Sequence, residues 1–124
     1  YTNTESSAAS DVYKRQLPAI AERQGFFAAI TGIVADAPQP GMAAYSASKA
    51  ALAAGLTAIR REFRRRKVAV IDVRPPHTET GLATRPIAGT APKMPEGLAP
   101  EAVARRIVDA IVAGDDVVTA EMFT

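Results

Sequence analysis

The chain has 124 residues, enough for one small domain and not for two. Hydrophobic residues make up 48% and the net charge is +2, so composition allows a buried core and calls for neither nucleic acid nor an anionic membrane as partner. Cysteine is absent and His77 is the single histidine, which excludes disulfides and thiolate metal sites and leaves no basis for a histidine metal centre.

The segment Ser6 to Gln16, SSAASDVYKRQ, is polar and aperiodic beside the Ala-rich remainder. It resembles the in-frame translation of a DNA adapter used in sequencing, and residues 1–16 are therefore set aside as foreign to the fold. The expected domain is residues 17–124. Leu17 to Gln24 reads as the tail of a helix, with Gly25 as its C′ residue. Phe26 to Val34 is a continuous apolar run of strand length, of the kind buried on both faces of a parallel sheet. Pro38, Pro40 and Gly41 mark a loop. From about Ala43 to Arg66 the pattern is helical, with Leu52, Leu56, Ile59 and Phe63 on one stripe. Val68 to Val73 is a second strand, stopped by Pro75 and Pro76. Thr78 to Gly97 is a long loop rich in Pro, Gly and Thr, and a loop of that length inside a compact domain is usually functional. Pro100 to Ala113 is a helix ended by Gly114, with Val103, Ile107, Ala110 and Ile111 facing inward. Asp116 to Ala120 is a third short strand. This alternation implies a doubly wound parallel α/β sheet, with ligands beyond the carboxyl ends of the strands.

No apolar run reaches the roughly 18 residues that would span a bilayer, and nothing resembles a signal peptide, so the expectation is a soluble cytoplasmic protein. Tyr45 and Lys49 lie four apart near the start of the long helix, which puts both side chains on one face. A phenol ordinarily titrates near pH ~10, so an acid/base working near neutrality needs its anion stabilised. An ammonium one turn away does that.

The run PGMAAYSASKAALAAGLTAIRREF, with FFAAITGIV before it and KVAVIDVRPPHTET after it, resembles the short-chain dehydrogenase/reductases. The resemblance covers Leu17 to about Ala120. It implies the C-terminal half of a Rossmann fold, with the N-terminal nucleotide-binding half missing. It also implies NAD or NADP as cofactor and hydride transfer between nicotinamide and a small carbonyl or secondary alcohol. Tyr45 then matches the general acid/base, and Lys49 its tuner and the anchor of the nicotinamide ribose. Pro75, Thr78 and Thr80 match the loop that contacts the nicotinamide carboxamide, and 81–97 matches a variable lid. Ala47, Ala50, Ala51 and Ala54 lie on a helix that pairs subunits in the family, so a homo-oligomer is expected of the intact protein.

Three departures set this chain apart. Gly32 stands thirteen residues before Tyr45, where the family carries a serine that donates to the substrate oxygen. Thr31 beside it is the substitute candidate, on condition that the strand has ended and the chain bends at Gly32. Pro76 replaces a glycine, which changes the shape of the nicotinamide loop. No Gly-rich phosphate loop is present, which truncation explains. The second reading, favoured by Gly32, is a non-catalytic nucleotide-binding or sensor relative. A third, DNA binding through Arg60 to Lys67, is weaker, because cations at a helix end are favoured by the macrodipole and by solvent. His77, Asp36 and Glu79 are read as structural or solvated loop residues.

Overall fold

The structure, a computed structural model, describes residues 8–124. Three parallel strands, β1 (Phe26–Ile30), β2 (Ala69–Val73) and β3 (Val117–Val118), form one sheet in that order. Phe26 pairs with Ala69 and Ile30 with Val73, and β3 sits beside Asp72 and Val73. Parallel neighbours need crossovers, and helices supply them. Helix α1 (Ala8–Glu22) leads into β1, α2 (Ala43–Phe63) joins β1 to β2, and α3 (Pro100–Ala113) joins β2 to β3.

Alternate strand residues point to opposite faces, and each face buries a different core. On one side Leu56 and Ile59 of α2 and Leu17 of α1 pack with Val68 and Val70. On the other, Ala110 of α3 packs with Ile71, Val73 and Val118, and Ile107 and Ile111 flank it. Helices on both faces of a parallel sheet make the doubly wound α/β architecture expected from the alternation. The stripe Leu52, Leu56, Ile59 and Phe63 faces this core as the helical spacing requires.

Several element ends differ from the sequence reading. Residues 1–7 of the adapter-like segment lie outside the described residues, and 8–16 form the first turns of α1. Helix α1 stops at Glu22, and the left-handed residue behind it is Gln24 (φ 51°), not Gly25. Gly25 is held instead by its N–H donating to the Ile20 carbonyl at 2.9 Å. Strand β1 ends at Ile30 because Gly32, at φ 83° and ψ 161°, turns the chain into a short 3-10 helix over Ile33–Ala35. Nor is β1 buried on both faces: Phe26 and Ile30 are 52% and 55% exposed. Among the described residues β1 pairs on one side only, and α3 lies over β2 and β3. Helix α2 ends at Phe63, with Arg64–Arg66 as 3-10. Strand β3 is two residues long and passes into a 3-10 turn over Ala120–Phe123. Helix α3 begins and ends as read: Pro100 opens it, and Gly114, left-handed, donates to the Ala110 and Ile111 carbonyls.

Candidate active site

Parallel strands place their carboxyl ends on one side, and the chemistry-bearing residues gather there. Tyr45 sits in the first turn of α2, with 41% of its surface exposed. Lys49 follows one turn later, its Nζ 5.7 Å from the centre of the Tyr45 ring. The same Nζ donates to the Ile30 carbonyl at 2.9 Å. Lys49 is thereby pinned between its own helix and the last residue of β1, so the helix spacing and the sheet together hold the ammonium beside the phenol. Ser48 Oγ donates to the Tyr45 carbonyl at 2.7 Å and tightens that first turn. Ser46, next to Tyr45, is buried, and its Oγ finds no hydrogen-bond partner among the described residues.

The bend at Gly32 is present, yet it does not deliver Thr31 to this pair. Thr31 is fully buried, and its Oγ1 lies 2.6 Å from Asp72 Oδ1 and 3.2 Å from the Val73 carbonyl. A hydroxyl has one proton, and here it points into the protein. Thr31, expected as the substitute donor, thus has its side chain in a buried network. In that network Asp72, 1% exposed in mid-strand, also receives Arg74 Nε at 2.9 Å and Arg74 Nη2, while Arg74 Nη1 reaches Asp36. Hydrogen bonds from Arg74 to Asp72 first, and to Asp36 second, hold the Arg74 guanidinium above its ordinary pKa. Asp36, read as a solvated carboxylate, thus ties the loop after β1 to β2.

Backbone bonds complete the turn. Thr31 and Gly32 N–H both donate to the Val73 carbonyl, and Ile33 N–H donates to Pro75. Pro75 therefore spends its carbonyl on the loop after β1. Thr78 Oγ1 donates to the Pro76 carbonyl at 3.0 Å, and Thr80 N–H donates to the Thr78 carbonyl at 2.8 Å. Thr80 itself is exposed just beyond β2. Pro75, Thr78 and Thr80 thus line the chain leaving β2, at the same end of the sheet as Lys49 and Ile30.

Sequence reasoning also missed Arg60. It was grouped with a solvated basic helix end, but its Nε donates to the Val70 carbonyl at 2.9 Å and its Nη2 to the Asp116 carbonyl at 2.6 Å. Its position one turn before the end of α2 was the available signal. Among the described residues no cluster of three or more His, Cys, Asp or Glu could hold a metal, and no helix is long and apolar enough to cross a membrane.

A parallel sheet wound on both sides, with a Tyr–Lys pair at the carboxyl end of a strand, defines a doubly wound α/β protein. The chain belongs to the short chain dehydrogenase family, whose model matches residues 3–89. Among solved structures it is similar to a short chain dehydrogenase from Burkholderia cenocepacia, determined in complex with NADP. Identity there is 30%, the TM-score is 0.70, and the match covers 90% of this chain and 45% of that one. A short-chain dehydrogenase from Sphingobium yanoikuyae in complex with NADPH gives 20% identity and a TM-score of 0.75, over 96% of this chain and 52% of that one. The bulky-bulky ketone specific alcohol dehydrogenase from Comamonas testosteroni gives 16% and 0.72, over 96% and 49%. The last two are likenesses of fold alone. The chain spans about half the length of the structures it matches. Comparison with curated proteins gives no match.

Proposed function

We propose that the intact protein is an NAD(P)-dependent oxidoreductase passing hydride between a nicotinamide and a small carbonyl compound or secondary alcohol. The observation that carries this reading is the Lys49 ammonium held 5.7 Å from the Tyr45 ring, at the carboxyl end of β1. Family membership supports it, as does the NADP bound by the Burkholderia structure.

The residues present fit the nicotinamide–ribose end of such a cofactor. Tyr45 offers a phenol in reach of solvent, and Lys49 offers two N–H bonds besides the one spent on Ile30. A ribose carries hydroxyls that accept such bonds. Pro75 and Pro76 have no N–H, so the carboxamide contacts fall to Thr78 and Thr80. When bound, the nicotinamide supplies or accepts the hydride. Tyr45 gives its proton to the carbonyl oxygen in reduction and takes it back in oxidation, with the Lys49 ammonium held beside its ring. The pyrophosphate would be held by a nucleotide-binding half outside these residues, and 17–124 alone would be inactive. The exposed alanine face of α2 would serve subunit pairing, and the cytoplasm is the compartment that fits.

Replacing Tyr45 by Phe in the intact protein removes the proton donor and keeps the ring. Carbonyl reduction measured by NADPH or NADH oxidation is expected to fall by at least about 10²-fold. Undiminished reduction would sink the enzyme reading. A second reading, a cofactor-binding relative without catalysis, is favoured by Gly32 and by the inward turn of Thr31. It predicts cofactor binding by calorimetry with no turnover of any carbonyl.

A further inference from the structure

Glu79 reads in the sequence as a loop carboxylate in water. In the fold it gathers two ends of a loop. Its Oε1 accepts the Gly97 N–H at 2.7 Å and lies 3.2 Å from His77 Nε2. Two backbone bonds run alongside: Leu98 N–H donates to the His77 carbonyl at 2.8 Å, and Glu79 N–H donates to the Leu98 carbonyl at 2.9 Å. Thr78 and Leu98 form a parallel bridge at the centre of this contact. The approach is close enough to require glycine at 97. A Cβ there would lie 2.7 Å from both the His77 carbonyl oxygen and His77 Cδ2, and 2.9 Å from the His77 carbonyl carbon. Residues 77–79 and 97–98 therefore form one knot, and the segment between them leaves and returns at a single point beyond β2.

The enclosed segment is itself built. Arg85 Nε donates to the Gly81 carbonyl at 3.0 Å and Nη2 to the Thr80 carbonyl at 3.3 Å. A cavity of about 270 Å³ opens between its two arms, bounded by His77, Glu79, Thr84, Lys93, Met94 and Glu96. Its position follows the carboxyl end of β2, the side of the sheet where Lys49 seats on Ile30.

We propose that Glu79 is the positioning residue of this segment: by seating on the Gly97 N–H it latches 80–96 into a preformed lid, and the latch sets how tightly the carbonyl substrate is held. The second half of this statement rests on the oxidoreductase reading; the first does not. An open lid must be closed at each binding event, so unlatching lowers apparent affinity by the closed fraction.

The test uses the intact protein with Glu79→Ala, Gly97→Ala and the conservative Glu79→Gln. The readouts are protease cleavage within 81–96, amide exchange at Gly97 and Leu98, and ketone KM against kcat. Both alanine variants are expected to speed cleavage and local exchange by about tenfold, while Val70 and Ile71 in the core stay protected. Glu79→Gln keeps an acceptor oxygen and is expected to restore most of the closure. In the alanine variants KM for the ketone should rise more than kcat falls. Cleavage and exchange at wild-type rates in both would overturn the latch. An opened lid with unchanged KM would overturn its hold on substrate. An intact protein that reduces no ketone would sink the oxidoreductase reading, and the cleavage measurement would still decide the latch.

Discussion

A carboxylate in the middle of a buried strand is costly unless every oxygen is answered, and Asp72 is answered on both. Thr31 takes one oxygen and Arg74 the other, and Arg74 continues outward to Asp36. Removing the arginine leaves a charge at 1% exposure with one neutral donor. Arg74→Met is expected to lower stability by about 3–5 kcal/mol, read as a shift in the denaturant midpoint at unchanged slope. Because Arg74 is held above its ordinary pKa, its contribution is complete below the unfolded value and fades only as pH rises through the higher folded one. Nothing of this network was legible in the sequence. Thr31, Asp36, Asp72 and Arg74 are spread over 44 positions, and only the β1–β2 register brings them together. Tyr45 and Lys49, by contrast, were legible because helix geometry alone fixes their spacing.

The turn after β1 shows how one residue shapes an element. Gly32 at φ 83° and ψ 161° occupies a region that essentially only glycine visits. A Cβ there would meet nothing closer than 3.9 Å, so the cost of a serine, the residue the family carries, begins with backbone strain and not with crowding at Cβ. Gly32→Ser is expected to destabilise by about 1–3 kcal/mol in urea titration, and to raise ketone reduction in the intact protein only if the turn relaxes toward negative φ. The same turn explains why the apolar run Phe26 to Val34 misled as to strand length. Hydropathy continues through it and the backbone does not: Ile33 and Val34 pack from a 3-10 turn. The end of α3 was read correctly because Gly114 both stops the helix and accepts a left-handed conformation. At α1 the left-handed position fell on Gln24, one residue before the glycine, where composition gives no cue.

At the scale of the molecule, the parallel sheet and the helices on both faces followed from alternation alone. The order of the three strands did not, because an apolar run looks the same at an edge and in a centre. Phe26 and Ile30 are on the α3 face of β1, beyond the cover of α3. An exposed apolar strand edge invites pairing with another chain. This chain alone is expected to self-associate with rising concentration in sedimentation velocity, and Phe26→Lys with Ile30→Lys to suppress it. A monomer at all concentrations before substitution would count against the exposed edge as the cause.

The tether from Lys49 to Ile30 has a consequence for where loss of function can arise. A carbonyl points where its strand's register directs it, and moving β1 by a single position against β2 would rotate that oxygen away and present a different group. The ammonium would then drift from the phenol although neither residue had changed. Substitutions in β1 that disturb pairing with β2 can therefore silence the Tyr–Lys pair from behind, leaving its two members intact.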